Sequence, residues 1–221
     1  MNLAIVGLDI SHPYSFAPLF KKMGLVIKYV TDSKPDRAAE YARRFGCAVI
    51  PALEQMPWQD IQGALITTIA SEHAAAALPF LERGIPTFVD KQLAATPEDA
   101  QRIVATARRR NAPLLAGSVR RFAPAFRSIA DHLKRGDLGQ PIFVHRYEPH
   151  GIKAGDWQDR VETSGGFIVN FGVHCVDSIC ALLGNEVVSV HCAGGRFIHP
   201  DAASEDACVI TIQFKSGAIG I

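Results

Sequence analysis

Over its first half the chain switches repeatedly between short runs of β-branched and aliphatic residues and longer segments with helical spacing of apolar residues. Strand-like runs fall at residues 3–6, 25–31, 47–50, 64–69, 86–90 and 113–117. Between them, Ser11 or His12 with Pro13 opens a helix that ends at Gly24. Ser33-Lys34-Pro35-Asp36 opens a second, with Ala38, Ala39, Tyr41, Ala42 and Phe45 on its apolar face and Gly46 as its stop. Ser71 is placed to cap an alanine-rich helix through Arg83, and Thr96-Pro97 to open another reaching about Arg110. Such alternation implies βαβ units, hence a parallel sheet covered on both faces. The fold class is therefore α/β. Residues 1–118 read as a Rossmann-like, doubly wound parallel sheet, with ligands expected at the C-terminal ends of its strands.

The period changes after Arg121. A helix over 122–135 stops at Gly136, a strand-like run covers 142–148, and a glycine-rich polar loop leads to Gly165-Gly166. An apolar segment then runs to Leu183, followed by long strands at 187–196 and 206–214. Lys215-Ser216-Gly217 turns the last of these into 218–221. Residues 119–221 thus read as an α+β domain with a largely antiparallel open sheet. The sequence stops inside its last strand, which leaves an edge proteins normally protect. Either the chain is shortened or another subunit covers that edge.

A formal net charge of +1 gives no electrostatic case for nucleic acid or an anionic membrane. The densest basic run, Arg108-Arg109-Arg110, falls where cations complement a helix C-terminus. No apolar segment approaches the roughly 20 residues of a membrane span, and the N-terminus lacks a signal-peptide pattern. Five cysteines without a C-x-x-C pair suit buried thiols in a reducing cytoplasm.

Gly7-Leu8-Asp9-Ile10-Ser11-His12 follows the first strand where a dinucleotide fold carries G-x-G-x-x-G, but only the first glycine is kept. Asp32 closes the second strand, where a carboxylate accepts from the adenosine ribose hydroxyls and repels a 2′-phosphate. That favours NAD, with Lys34 beside it keeping NADP possible. Lys91 follows the fifth strand, where an ammonium can stabilise the alkoxide that develops as hydride leaves carbon. His145, His150, His174, His191 and His199 lack the tight spacing of defined zinc sites, so no metal site is expected. No G-x-S-x-G or activated cysteine argues for nucleophilic hydrolysis.

Two motifs, Val89-Asp90-Lys91-Gln92-Leu93-Ala94 and the run from Ser164-Gly165-Gly166 through Asn170-Phe171-Gly172-Val173-His174 to Asp177, stand in an order that resembles the Gfo/Idh/MocA family. The resemblance covers nearly the whole chain. It implies an NAD(P)-dependent oxidoreductase of sugars, polyols and related molecules, with a Rossmann domain and an α/β substrate domain that continues further in the family. Three departures stand out: Asp90-Lys91-Gln92 replaces Glu-Lys-Pro, Asn170 replaces an aspartate four residues before His174, and Asp9 replaces a glycine.

The resemblance places Lys91 between nicotinamide and substrate, makes His174 the proton acceptor, and leaves Asn170 to orient its ring without ionising. It assigns Gly7, Asp9, Ile10, Ser11, Asp32, Thr68, His73, Asp90 and Lys91 to the cofactor, with backbone N–H groups near Ile10 and Ser11 on phosphate. Arg121, Trp157 and Arg160 are candidates to line a polar substrate pocket. The implied partners are NAD (or NADP), a small polar substrate and a second copy through the C-terminal sheet, as a cytoplasmic homo-oligomer. The alternative function is a catalytically degenerate member that binds a ligand or nucleotide without turnover.

Overall fold

The computed structural model describes residues 1–117, 119–151 and 154–221, in two compact units, Met1–Gly117 and Ser118–Ile221. In the first, β1 (Asn2–Val6), β2 (Val26–Thr31), β3 (Ala48–Val49), β4 (Gly63–Ile66), β5 (Thr87–Val89) and β6 (Leu114–Ala116) form one sheet. Its order is β3-β2-β1-β4-β5-β6, and every pairing is parallel. The order reverses between β1 and β4, which opens a crevice at their C-terminal ends.

Helices α1 (His12–Lys22), α2 (Pro35–Phe45), α3 (His73–Leu81) and α4 (Pro97–Arg110) cover the sheet. Because side chains alternate along a strand, β1 feeds two cores. Ala4 and Val6 pack with Ile66, Val89, Phe80, Leu81 and Ile103, whereas Ile5 packs with Val30, Leu65 and Tyr41. Capping follows the expected chemistry at α4, where Thr96 accepts from the Asp99 N–H at 3.2 Å, and at α2, where Gly46 takes a left-handed φ of 72°.

Three local expectations need correction. β4 ends at Ile66, after which the Thr67 N–H still donates to the Val6 carbonyl at 2.8 Å and its hydroxyl to the Gly7 carbonyl at 2.6 Å. A 3₁₀ turn, Ala70–Glu72, precedes α3, so Glu72 rather than Ser71 occupies the capping position. Ser11 precedes α1 but makes no side-chain capping bond.

The second unit holds α5 (Pro124–Arg135), β7 (Phe143–Val144), α6 (Val161–Ser164), α7 (Phe167–Leu183), β8 (Val187–Gly195), β9 (Ala207–Phe214) and β10 (Ile219–Gly220). Its sheet runs β7-β10-β9-β8. β8–β9 and β9–β10 are antiparallel, while β10 and β7 pair in parallel, so the sheet is mixed but mostly antiparallel. β7 is much shorter than the run at 142–148 suggested. Ile179 of α7 packs with Ile212, Phe214 and Ala218. Gly220 permits this approach, since a Cβ there would stand 2.3 Å from Ile179 Cγ2.

By length and composition Val161–Leu183, with a mean hydropathy of 1.7 over its best window, is long and apolar enough to cross a membrane, contrary to the sequence expectation. Ser164, Asn170, His174, Asp177 and Ser178 interrupt the stretch and divide its apolar residues into short runs. Positive φ at Gly165 and Gly166 separates α6 from α7, and α7 serves as the core helix of this unit, with Ile179 buried in its apolar cluster.

Candidate active site

Gly7 sits in the crevice between β1 and β4. Its N–H donates to the Thr31 carbonyl at 2.9 Å, and its own carbonyl accepts from Thr67 Oγ1 at 2.6 Å. With φ at 84°, a Cβ at this position would lie 2.4 Å from Thr68 Cγ2 and 2.5 Å from Thr68 N, so only glycine fits. Beyond it, the N–H groups of Asp9, Ile10, Ser11 and His12 find no acceptor among the described residues. They lead into the N-terminus of α1, where unpaired amides and the helix dipole both favour an anion. Thr68 Oγ1, also at this edge, is buried without a hydrogen-bond partner among the described residues.

Beside the amides lies a charged cluster. Asp32 Oδ2 accepts from the Leu8 N–H at 2.6 Å and Arg37 Nη2 at 2.7 Å, while Oδ1 accepts from the Lys34 N–H and Arg37 Nε, both at 2.8 Å. The Asp32 side chain has no exposed surface. Arg37 Nη2 also donates to Asp9 Oδ1 at 2.7 Å. Burial opposes the Arg37 charge, but its bonds to Asp32 and Asp9 outweigh that and raise its pKa.

At the end of β5, the Asp90 N–H continues the sheet by donating to the Ile66 carbonyl at 3.0 Å. The buried Asp90 carboxylate meets His12 Nδ1 at 2.7 Å, and the His12 ring stacks on Phe16. Next comes Lys91, whose pKa is pushed down to about 8 by burial, which the neighbouring Asp90 charge only partly offsets. The Lys91–Gln92 peptide is cis. His73 braces this turn from below, with Nδ1 2.8 Å from the Gln92 carbonyl and Nε2 3.0 Å from the Thr68 carbonyl. Two carbonyl partners favour imidazolium, yet burial of the ring prevails and lowers its pKa.

In the second unit, α7 begins at Phe167, so Asn170 and His174 stand one turn apart and are 1% and 8% exposed. Gly166, at a φ of 85°, carries the chain into the helix, and Ser204 Oγ accepts from the Phe167 N–H at 3.0 Å. Arg121 forks onto Asp177, with Nε 2.9 and 2.8 Å from the two carboxylate oxygens. Trp157 and Arg160 flank Asp159, which accepts from the Gly155, Ala203 and Ser204 N–H groups and from Ser204 Oγ. Burial opposes the Asp159 charge, but these donors hold its pKa down at about 2. A cavity of about 430 Å³ in this unit is lined by His145, Tyr147, His150, Phe171 and Cys175 among others. Neither the Asn170–His174 pair nor Arg121, Trp157 or Arg160 lines it.

Residues 1–118 match the family model described as an oxidoreductase family with an NAD-binding Rossmann fold, and residues 126–221 match the Gfo/Idh/MocA C-terminal domain. The chain belongs to the Gfo/Idh/MocA oxidoreductase family. Among its family relatives, scyllo-inositol 2-dehydrogenase (NAD(+)) of Bacillus subtilis is 26% identical over 100% of this chain and 66% of its own length. The 1,5-anhydro-D-fructose reductase of Ensifer adhaerens is 29% identical over 89% of this chain and 60% of its own. The crystal structure of GenD2 from gentamicin A biosynthesis, in complex with NAD, superposes with a TM-score of 0.86 at 23% identity, covering 100% of this chain and 64% of that one. The chain spans 48% to 67% of the length of the first four curated relatives it matches.

For this Gfo/Idh/MocA member, the N-terminal unit fits the dinucleotide of its family. The amides at residues 9–12 suit phosphate, the Asp9 charge is met by Arg37, and Thr68 offers an unmet hydroxyl. The sequence-predicted residues Gly7, Asp9, Ile10, Ser11, Asp32, Thr68, His73, Asp90 and Lys91 all belong to this edge. Asn170, His174, Arg121, Trp157 and Arg160 belong to the second unit. Sequence reasoning missed two participants, Arg37 and His12. His12 fills the third glycine position of the fingerprint, a signal that could have pointed to it; Arg37 carried none beyond lying five residues past Asp32.

Proposed function

We propose that this protein is an NAD-dependent dehydrogenase that transfers hydride between the nicotinamide and a carbinol carbon of a sugar, polyol or related molecule, with NADP as the weaker alternative. The observation that carries this reading is Lys91, an ammonium partly buried just beyond the C-terminal end of β5 with its pKa brought down to about 8. Near neutral pH such a group can both donate a hydrogen bond to a substrate oxygen and exchange its proton. When bound, the nicotinamide supplies the hydride acceptor or donor. Gly7 and the amides of residues 9–12 would hold the phosphates, and Asp90, fixed by His12, steadies the turn that carries Lys91. In the second unit His174 is the proposed proton carrier, with Asn170 one turn earlier as its orienting neighbour.

The relatives named for inositols and an anhydro sugar support a small polyhydroxylated substrate. Exposed Val188 and Val190 on β8 support a homo-oligomer, a dimer in the simplest case, through the C-terminal sheet. Five free cysteines support a reducing, cytoplasmic setting.

The deciding experiment follows NADH formation with a panel of inositols and hexoses, on the wild type and on Lys91→Ala. Turnover that falls about 10²–10⁴-fold in the variant, with NADH still bound, supports the mechanism. Undiminished turnover in Lys91→Ala overturns it, and nucleotide binding without turnover on any substrate favours a binding-only member.

A further inference from the structure

The carboxylate at the end of β2 is saturated. A carboxylate offers about four lone-pair positions, and Asp32 meets four donors, namely the Leu8 and Lys34 N–H groups and two nitrogens of Arg37. Its side chain has no exposed surface. Asp9 is the reverse case. It accepts one bond, from Arg37 Nη2 at 2.7 Å, its Oδ2 has no partner among the described residues, and its side chain remains 18% exposed. The same Nη2 atom lies 2.7 Å from Asp32 Oδ2, so the two carboxylates are immediate neighbours.

We propose that Asp9, held by Arg37, is the carboxylate that accepts the adenosine ribose hydroxyls in this chain, and that Asp32 serves to position Arg37. The inference rests on the dinucleotide reading above. It explains how an acidic side chain is tolerated at the second glycine position. Arg37 holds the Asp9 charge beside Asp32 at the end of β2, so the carboxylate becomes a contact for the sugar diol. A negative group there with open acceptor capacity favours hydroxyls and repels a 2′-phosphate. Arg37 offsets that repulsion only in part, because its single positive charge is shared between two carboxylates, which take both hydrogens of Nη2 and that of Nε.

The test is equilibrium binding of NADH and NADPH, followed by nucleotide fluorescence and by the shift in melting temperature, for the wild type, Asp9→Gly and Asp9→Asn. Asp9→Gly restores the residue usual at this position, so a merely tolerated obstacle would give tighter binding when removed. The expected result is the opposite. NADH binding weakens about tenfold or more in Asp9→Gly, as befits loss of a hydrogen bond to a charged acceptor. Binding weakens less in Asp9→Asn, and the preference for NADH over NADPH narrows in both. Unchanged or tighter NADH binding in Asp9→Gly overturns the assignment, as does an equal loss for the two nucleotides. A wild type that binds neither nucleotide sinks the dehydrogenase reading itself, whereas a binding wild type with an indifferent Asp9→Gly sinks only the role of Asp9. Melting of the unliganded variants verifies that each is folded.

Discussion

In the N-terminal unit, helices lie on both faces of the sheet and strand residues such as Ala4, Ile5, Val30 and Ile66 are wholly enclosed. In the C-terminal unit, α7 lies on the sheet while β8 stays exposed along nearly all its length, with Val188 and Val190 at 67% and 61%. The same chemical pairing behaves differently against these two backgrounds. Arg37 and Asp32 interact with side-chain exposures of 21% and 0%, whereas Arg121 and Asp177 do so at 46% and 21%. A guanidinium fork on a carboxylate is therefore no fixed quantity. Its consequence depends on how much water each partner gives up.

Core truncation should show the largest contrast. Phe80→Ala, at a fully enclosed position, is expected to cost about 3–5 kcal/mol in chemical denaturation, against within about 0.5 kcal/mol for Val190→Ala on exposed β8. Equal losses would show that β8 is covered in solution by a second copy, a reading that concentration-dependent melting would corroborate. The charge pairs come next. Arg37→Ala leaves the Asp32 carboxylate buried with two backbone donors in place of four and is expected to cost about 3 kcal/mol or more, while Arg121→Ala falls at about 1 kcal/mol or less. A cost for Arg121 matching that for Arg37 would break the comparison.

Lys91 provides a smaller test with a defined pH signature. Its pKa in the folded chain, about 8, is below the ordinary 10.5. Below pH 8 the folded protein thus carries a partly buried cation that the unfolded chain solvates freely, and this penalty is relieved as pH rises from 8 to 10.5. Replacing the ammonium by an apolar chain, Lys91→Met, should raise stability at pH 7 by on the order of 3 kcal/mol while abolishing turnover. The gain should shrink toward pH 10.5. A gain that is absent at pH 7, or constant with pH, would show that burial of the charge is not what Lys91 costs the fold.

Much of this molecule was legible from local pattern. The period-two runs and helix stops located all six strands of the first sheet and the helices α1, α2, α3 and α4, with errors confined to ends such as Thr67–Ile69 and Ser71. Position also marked Gly7, because one glycine after the first strand of a doubly wound fold must meet the neighbouring strand. Polar interruptions of an amphipathic helix were harder to read, which is why the apolar length of Val161–Leu183 escaped notice. The parallel pairing of β10 with β7 was likewise out of reach, since each strand is only two residues long and their partnership depends on α7 packing beneath them.

The sequence by itself determined the order of elements, the doubly wound class of the first unit and the edge at which its chemistry collects, because hydrophobic period and turn residues act within a few positions of the chain. The tertiary structure decided what each side chain at that edge is free to do. His12 and Asp90 are 78 positions apart and Asp9 and Arg37 are 28 apart, yet both pairs lie at 2.7 Å. A carboxylate's capacity to bind depends on which donors the fold has already brought to it. Asp32 has spent that capacity on the protein, and Asp9 has kept most of its own.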